Sequence, residues 1–374
     1  MQPYNRGPFF DQLSQRVSAL GGLFNAHLHL DRYATLDDRY MASAEHRILA
    51  NSHVSLKKKH GLIGALHAGP AWQGDDLANR VNACLDRMVA CGTRRGDTMV
   101  DVTNDEVQLR GLDTLRQIKR ARAGQFDLRL AAYTPLGFRD DEPRRWELFQ
   151  EGARMADFLG ALPEADDHAD YPHHIGFMEH LRRMLELAQQ LNVPVHVHTD
   201  QRNEASETGT EQLVDAVRRF GAPPRIEGQP SVWAVHMVSP STYDDARFNR
   251  LVEGLLECDI GVICCPSAAI GMRQLRPLRS PTDNSIPRVL ELISAGVPVC
   301  LGSDNIADIC SPSTTPDLND EVLVLSAAVR YYDIDVLAHL ASGQAMPDAL
   351  RARVRDHLQN NAQEIEKTLK AIGA

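Results

Sequence analysis

Short apolar runs rich in Val, Ile and Leu recur along the chain, at Leu23–Leu28, Thr98–Val102, Leu128–Tyr133, Ala156–Leu162, Val193–His198, Val232–Met237, Ile260–Cys264 and Pro298–Gly302. Each is short enough for a buried strand and lacks the 3.6-residue period of a helix. The stretches between them carry that period instead. Glu179–Gln190 (EHLRRMLELAQQ) and Phe248–Leu256 (FNRLVEGLL) space their apolar residues at helical intervals, and Val289–Ile293 runs into a stop at Ala295-Gly296. Strands that alternate with helices call for a parallel sheet with crossovers, and eight such units are the number for a (β/α)8 TIM barrel.

The barrel core is expected over about 22–345, within a single domain spanning 1–374. About twenty residues precede the first run, and 350–374 reads as one or two charged helices. Both ends are too short for an accessory β-sandwich, and no Pro/Gly/Ser linker marks a second domain. The widest interval, between the first two runs, holds Lys57-Lys58-Lys59 and a loop at Trp72. Three lysines in a row predict a solvated helix face, with a lid over the barrel mouth as the other reading.

Composition narrows the class without changing it. Of 374 residues, 43% are hydrophobic and 24% charged, which is ordinary for a globular chain. Fifty acids against forty bases give a formal charge of −10, the wrong sign for a nucleic-acid or anionic-membrane partner. The start MQPYNRGPFF lacks a basic segment followed by an apolar run, so no signal peptide is read. Seven scattered cysteines form no disulfide framework. A cytoplasmic protein acting on a small molecule is expected, with exposed barrel helices suited to homo-oligomer formation.

Chemistry in such a barrel sits at the C-terminal ends of the strands. His27 and His29 close the first run (FNAHLHLDR), His198 the fifth (VPVHVHTD), His236 the sixth (VWAVHM) and Asp304 the eighth (VCLGSDN). Residues two apart on a strand face the same way, so His27 and His29 can share one ion. Four histidines and a carboxylate at the catalytic ends of four strands are a strong metal signal, where a lone His-x-His would be weak.

This order resembles the amidohydrolase superfamily, and within it cytosine deaminase and its relatives. HLHLD at His27–Asp31 is similar to that family's first-strand motif, HTDQRNE at His198–Glu204 to its fifth, and SDNIAD at Ser303–Asp308 to its eighth. Arg80–Gly137 is similar to its second and third units, so the resemblance covers most of the chain. It implies one divalent ion held by His27, His29, His198 and Asp304, zinc ahead of iron or manganese, all three of which suit these donors. It also implies that His236 stands beside the water or the polarised group. Asp304 would take a proton from the water and pass it to the leaving nitrogen, giving hydrolysis of a C–N bond in an amide, ring amide, amidine-like group or aryl amine.

Two positions depart from that pattern. Gln201 stands where the resemblance places a proton-shuttling glutamate, and an amide has no titratable proton. Gln201 then becomes a substrate anchor with Asp304 as sole acid–base group, or Glu204 reaches back as shuttle, or the protein is a metal-binding pseudoenzyme. The third run ends Tyr133-Thr134-Pro135-Leu136-Gly137, offering the Thr134 hydroxyl and an apolar wall where cytosine deaminase carries a glutamine. Asn305 replaces a second acid and joins Thr134 and Gln201 as a candidate substrate contact. These departures speak against cytosine itself and tilt the reading toward amide or ring cleavage, with ammonia release from an N-heterocycle as the alternative.

Other residues carry two readings each. Asp31 and His196 are expected behind the ligands, His196 also as a plain core residue. Glu164 could bridge a second metal, though no lysine is placed to form a carbamate bridge, and a mononuclear site is expected. Asp101 could orient a ligand histidine or cap a helix. Ala165–His174 reads as a solvated loop or a substrate lid, Cys264-Cys265 as buried packing, and Arg273 and Arg276 as surface groups or an anion contact.

Overall fold

The computed structural model describes residues 6–41, 48–51, 56–271 and 286–372. Eight parallel strands follow one another around a single sheet: β1 Leu23–Leu28, β2 Thr93–Asp101, β3 Asp127–Tyr133, β4 Phe158–Ala161, β5 Val195–Thr199, β6 Val232–His236, β7 Ile260–Cys264 and β8 Val299–Leu301. All eight expected runs are strands of this (β/α)8 barrel. The helices Phe177–Leu191, Asp245–Glu257 and Val289–Ala295 fall where the apolar period placed them, the last ending on Gly296 in the left-handed region. The tail is one helix, Asp348–Ile372. Among the described residues every strand belongs to this sheet, and no helix is long and apolar enough to cross a membrane. The seven cysteines are free.

Alternation sorts each strand into an outer and an inner row. Outward residues such as Val195, Val197, Val232, Ala234, Val299 and Leu301 join the large core shared with the helices. Inward ones form smaller clusters inside the barrel: Trp233, Val235, Ile263 and Cys300 on one side, Met99, Ala131, Tyr133 and Phe158 on the other. Buried on both faces, the strands need apolar residues in both rows, which is why they read as continuous runs.

The barrel closes between β1 and the segment that follows β8. Leu28 bridges to Asp304, and the Asp304 N–H donates to the His27 carbonyl at 2.9 Å. A buried side-chain clamp reinforces this seam. Asn25 Nδ2 donates to Ser303 Oγ at 2.7 Å, and the Ser303 N–H donates to Asn25 Oδ1 at 3.0 Å. Gly302 sits so close that a Cβ there would lie 2.7 Å from the Cβ of His27 and 2.9 Å from its backbone nitrogen.

The basic segment lies on the helix Leu56–His67. Lys58 is exposed, as a solvated face requires. Lys59 is buried instead, its ammonium donating to the Cys310 carbonyl at 3.0 Å, and so corrects the uniform solvated reading. The side chain of Lys57, like Arg273 and Arg276, lies outside the described residues. His67 ends the helix with Nε2 3.0 Å from Asp101 and Nδ1 2.6 Å from Asp105. Burial opposes its charge, but the two carboxylates prevail and push its pKa up to about 9.

Replacing Gly302 by Ala is expected to cost about 1–3 kcal/mol, because backbone rather than a flexible side chain meets the new methyl. Urea midpoints compared with the wild type check this, and an unchanged midpoint contradicts the close approach. The charged His67 also sets a pH dependence. Its folded pKa is raised above the ordinary 6.5, so its contribution is complete below about 6.5 and is lost as pH rises through about 9. Wild-type stability should fall across that window relative to His67→Gln, measured by denaturant midpoints at pH 6, 7.5 and 9.

Candidate metal centre

Three local devices aim side chains at one point above the barrel interior. On β1, alternation alone would put Ala26 inward and His27 outward, but the register shifts between Asn25 and Leu28. This bulge re-aims the strand so that His27 and His29 both face in. On β5, plain alternation carries His196 and His198 to the interior. On β6, Trp233 and Val235 are the inward residues, and His236 would point out. Its backbone takes a φ of 75°, in the left-handed region, and its ring comes within 5.7 Å of that of His27 and 5.3 Å of that of His198. Asp304 likewise has a φ of 60°. Such conformations cost free energy and persist where surrounding structure enforces them.

The result is a compact set of donors. His29 Nε2 lies 3.3 Å and His27 Nε2 3.6 Å from Asp304 Oδ1, and His236 Nε2 lies 3.9 Å from Asp304 Oδ2. Two overlapping triads, His27–His198–His236 and His27–His29–Asp304, each bring their ligand atoms within 4.8 Å of one another. Both ring nitrogens of His27 and His236, and Nε2 of His198, are buried without a hydrogen-bond partner. Unsatisfied buried nitrogens are costly, so several on one point mark a place for a cation. His198 Nδ1 donates to the Ala161 carbonyl at 2.9 Å, which fixes its tautomer and leaves Nε2 as a lone-pair donor.

Electrostatics suits the same purpose. Burial pushes His29 and His236 down to about 4 and His198 well below the usual range, so these rings are neutral at pH 7, as metal ligation requires. Burial works to raise the Asp304 carboxyl, but His27, His29 and His236 hold it well below the ordinary carboxylate range. The residues present therefore fit a divalent ion. Zinc, iron and manganese all accept this donor set, and it does not choose among them.

Tyr133 forms part of the wall, its ring 5.3 Å from that of His29 and 5.2 Å from that of His198. The Thr134 hydroxyl is buried and takes a long bond, 3.4 Å, from the Leu136 N–H. Asn305 donates to Asp308, which also accepts from the N–H groups of Cys310 and Ser311, so its amide nitrogen shapes the loop after β8. Gln201 is buried and donates to Glu164 Oε2 at 3.0 Å. Glu204 turns its carboxylate to the Ser206 N–H on an exposed loop.

Several supporting residues stand elsewhere than expected. Asp31 accepts from the Asp101 N–H at 2.8 Å and holds β2 rather than a ligand ring, its pKa pushed up to about 7 by burial and by Asp101. Asp101 neither orients a ligand nor caps a helix: it pairs with Arg32 through two bonds of 2.6 and 2.8 Å and with His67. His196 is a core residue one layer below the donors, its ring 4.5 Å from that of Phe158. Glu164 belongs to neither donor triad, so a bridging role for it has no support among the described residues. The Ala165–His174 segment is pinned by buried Asp166, which accepts from the Phe138 N–H and from His174 and His180. Asn25 and Tyr133 escaped the sequence reading. Asn25 lay two residues before His27, which was the one available hint.

No family model matches the chain. An uncharacterized protein of Haemophilus influenzae is 27% identical across 75% of this chain and 96% of its own length. A pterin deaminase of Rhizobium rhizogenes is 21% identical across 76% of this chain, which spans 65% of that protein. Among solved structures, 5-methylcytosine deaminase from Klebsiella pneumoniae liganded with phosphonocytosine aligns with a TM-score of 0.71, at 23% identity, over 86% of this chain and 73% of its own. N-isopropylammelide isopropylaminohydrolase from Burkholderia multivorans aligns with a TM-score of 0.65, at 19% identity, over 90% of this chain and 82% of its own. These likenesses extend to the (β/α)8 barrel fold that the alternation of strands and helices led one to expect.

Elemental analysis of freshly purified protein should find about one divalent ion per chain, reduced at least tenfold in His198→Ala, since losing one of four or five donors removes a large part of the binding free energy. Full occupancy in the variant, or no metal in the wild type after reconstitution, would contradict the centre.

Proposed function

We propose that the protein hydrolyses a C–N bond at a trigonal carbon of a small nitrogen heterocycle. The observation that carries this reading is the convergence of His27, His29, His198, His236 and Asp304 on one point with unpartnered nitrogens facing it. His27, His29, His198 and Asp304 would hold a divalent ion, zinc in the first instance, with His236 at its edge. When bound, the ion supplies Lewis acidity, which makes a water molecule acidic enough to lose a proton near neutral pH.

The chain's own residues supply the rest. Asp304, held ionised, accepts a proton from the attacking water. His236 is neutral, with both ring nitrogens uncommitted, and can donate to the oxygen that gains charge as water adds. Tyr133 and the apolar third-strand end exclude solvent from one side. Gln201 offers amide edges to a heterocycle.

Two readings of the bond follow. Release of an exocyclic amine is in line with the names of the relatives, a pterin deaminase and a 5-methylcytosine deaminase, together with an aminohydrolase of a substituted ammelide. Ring-amide cleavage is favoured by Gln201, which carries no proton to give a leaving amine. The first reading is the stronger because another carboxyl, that of Glu164, stands against Gln201.

Zinc-reconstituted protein is to be incubated with aminated pyrimidines, triazines and pterins, and in parallel with cyclic amides. Ammonia or amine is expected from at least one aminated ring, with a loss of about 10²–10⁴-fold in Asp304→Asn. Ring-opened product without ammonia would select the second reading. Silence on both sets, or an unaffected Asp304→Asn, would refute the proposal.

A further inference from the structure

We propose that Glu164 is the proton carrier of this site, acting beside Gln201, so that the acid–base carboxyl stands one strand over from the place where the fifth-strand motif ends. The inference rests on the C–N hydrolysis proposed above and deepens it. Few groups near the site can hold a proton for the leaving nitrogen. Gln201 has none to give. Glu204 is committed to the Ser206 N–H, and Glu207 to the Ser239 hydroxyl and the Arg202 N–H. Asp304 is held ionised among the histidines. Glu164 differs from all of these.

Glu164 follows β4, three residues beyond Ala161, whose carbonyl receives the His198 ring N–H. Gln201 follows the adjacent β5, three residues beyond His198. The two side chains meet at the C-terminal rim, Gln201 Nε2 donating to Glu164 Oε2 at 3.0 Å. The other oxygen, Oε1, is buried with no hydrogen-bond partner. Burial, with Glu207 and Asp200 nearby and Arg202 opposing them, pushes this carboxyl up to about 8. A neutral acid whose free oxygen awaits a partner is what a proton donor requires at pH 7. The Gln201 amide holds Oε2 and fixes the direction of Oε1.

The protons balance over one turnover. As the water oxygen bonds to the ring carbon, the C=N electron pair moves onto the ring nitrogen, which takes the proton of Glu164. Asp304 takes one proton from the water and returns it to Glu164. The remaining water proton goes to the exocyclic nitrogen as the C–N bond breaks with its electron pair. Ammonia leaves, the carbon keeps the oxygen as a carbonyl, and Glu164 ends protonated.

The test uses the full, zinc-reconstituted chain. Infrared difference spectra between wild type and Glu164→Gln at pH 7 should show the carbonyl band of a neutral carboxylic acid in the wild type alone, and this requires no substrate. On an aminated ring that the wild type hydrolyses, Glu164→Gln should lose about 100-fold or more in kcat with KM within a few-fold and metal content unchanged. The exchanged pair Glu164→Gln with Gln201→Glu should recover about tenfold over Glu164→Gln alone. Absence of the band, an unchanged kcat, or loss of metal in the single variant overturns the shuttle while leaving the hydrolysis reading intact. A wild type silent on every ring overturns that reading and the shuttle with it, whatever the infrared shows.

Discussion

The seam between β1 and the segment after β8 joins residues nearly 280 positions apart, and the donor set exists only where that seam closes. Asn25 and Ser303 exchange two hydrogen bonds across a separation of 278 residues, and the Asp304 amide bonds to His27 in the same stretch. Those contacts bring the carboxylate that ends the last strand onto the histidines that end the first. Loop-closure entropy opposes so distant a pairing, and the rest of the sheet offsets it by lining up the intervening strands in order. Gly302 belongs to the same constraint, since any larger side chain would hold the two ends apart.

Burial then gives the site its chemistry. Imidazoles in a water-poor interior are expensive as cations, so His29, His198 and His236 are pushed toward neutrality and keep lone pairs for a ligand. The carboxylate among them is stabilised by the same neighbours. At the rim burial acts on a carboxyl that has no such neighbours: it pushes Glu164 up, helped by Glu207 and Asp200 and opposed by Arg202. A single barrel therefore keeps two carboxyl groups, one after β4 and one after β8, in opposite states set by what each faces.

Much of this was legible in the sequence. Continuous apolar runs marked all eight strands because both faces of a barrel strand are buried, and β1 and β7 match in both bounds. The five donors stood out because few residue types sit at strand ends for packing reasons. The remainder depended on three-dimensional facts with no local signal. His236 reaches the interior only through a left-handed backbone that strand periodicity does not foresee, and His27 through a bulge. Asp31, Asp101 and Asn305 each spend hydrogen bonds on a neighbour that strand periodicity does not reveal: an amide, an arginine and another aspartate. Lys59 carries a surface residue's sequence signal, yet its ammonium is received by a carbonyl some 250 residues away.

The left-handed backbone at His236, Met237 and Asp304 has a consequence for how this site can change over generations. At positive φ, β-branched and bulky side chains are disfavoured, whereas Asn, Asp and His are tolerated and Gly is free. The residue types the chemistry calls for at positions 236 and 304 are thus among the few the backbone admits. Drift at positions 236 and 304 is biased toward short polar residues and glycine, several of which still bind cations or donate hydrogen bonds. New specificities are then more accessible through the surrounding walls, at Tyr133, Thr134 or the Glu164–Gln201 pair, where the backbone sets no such filter.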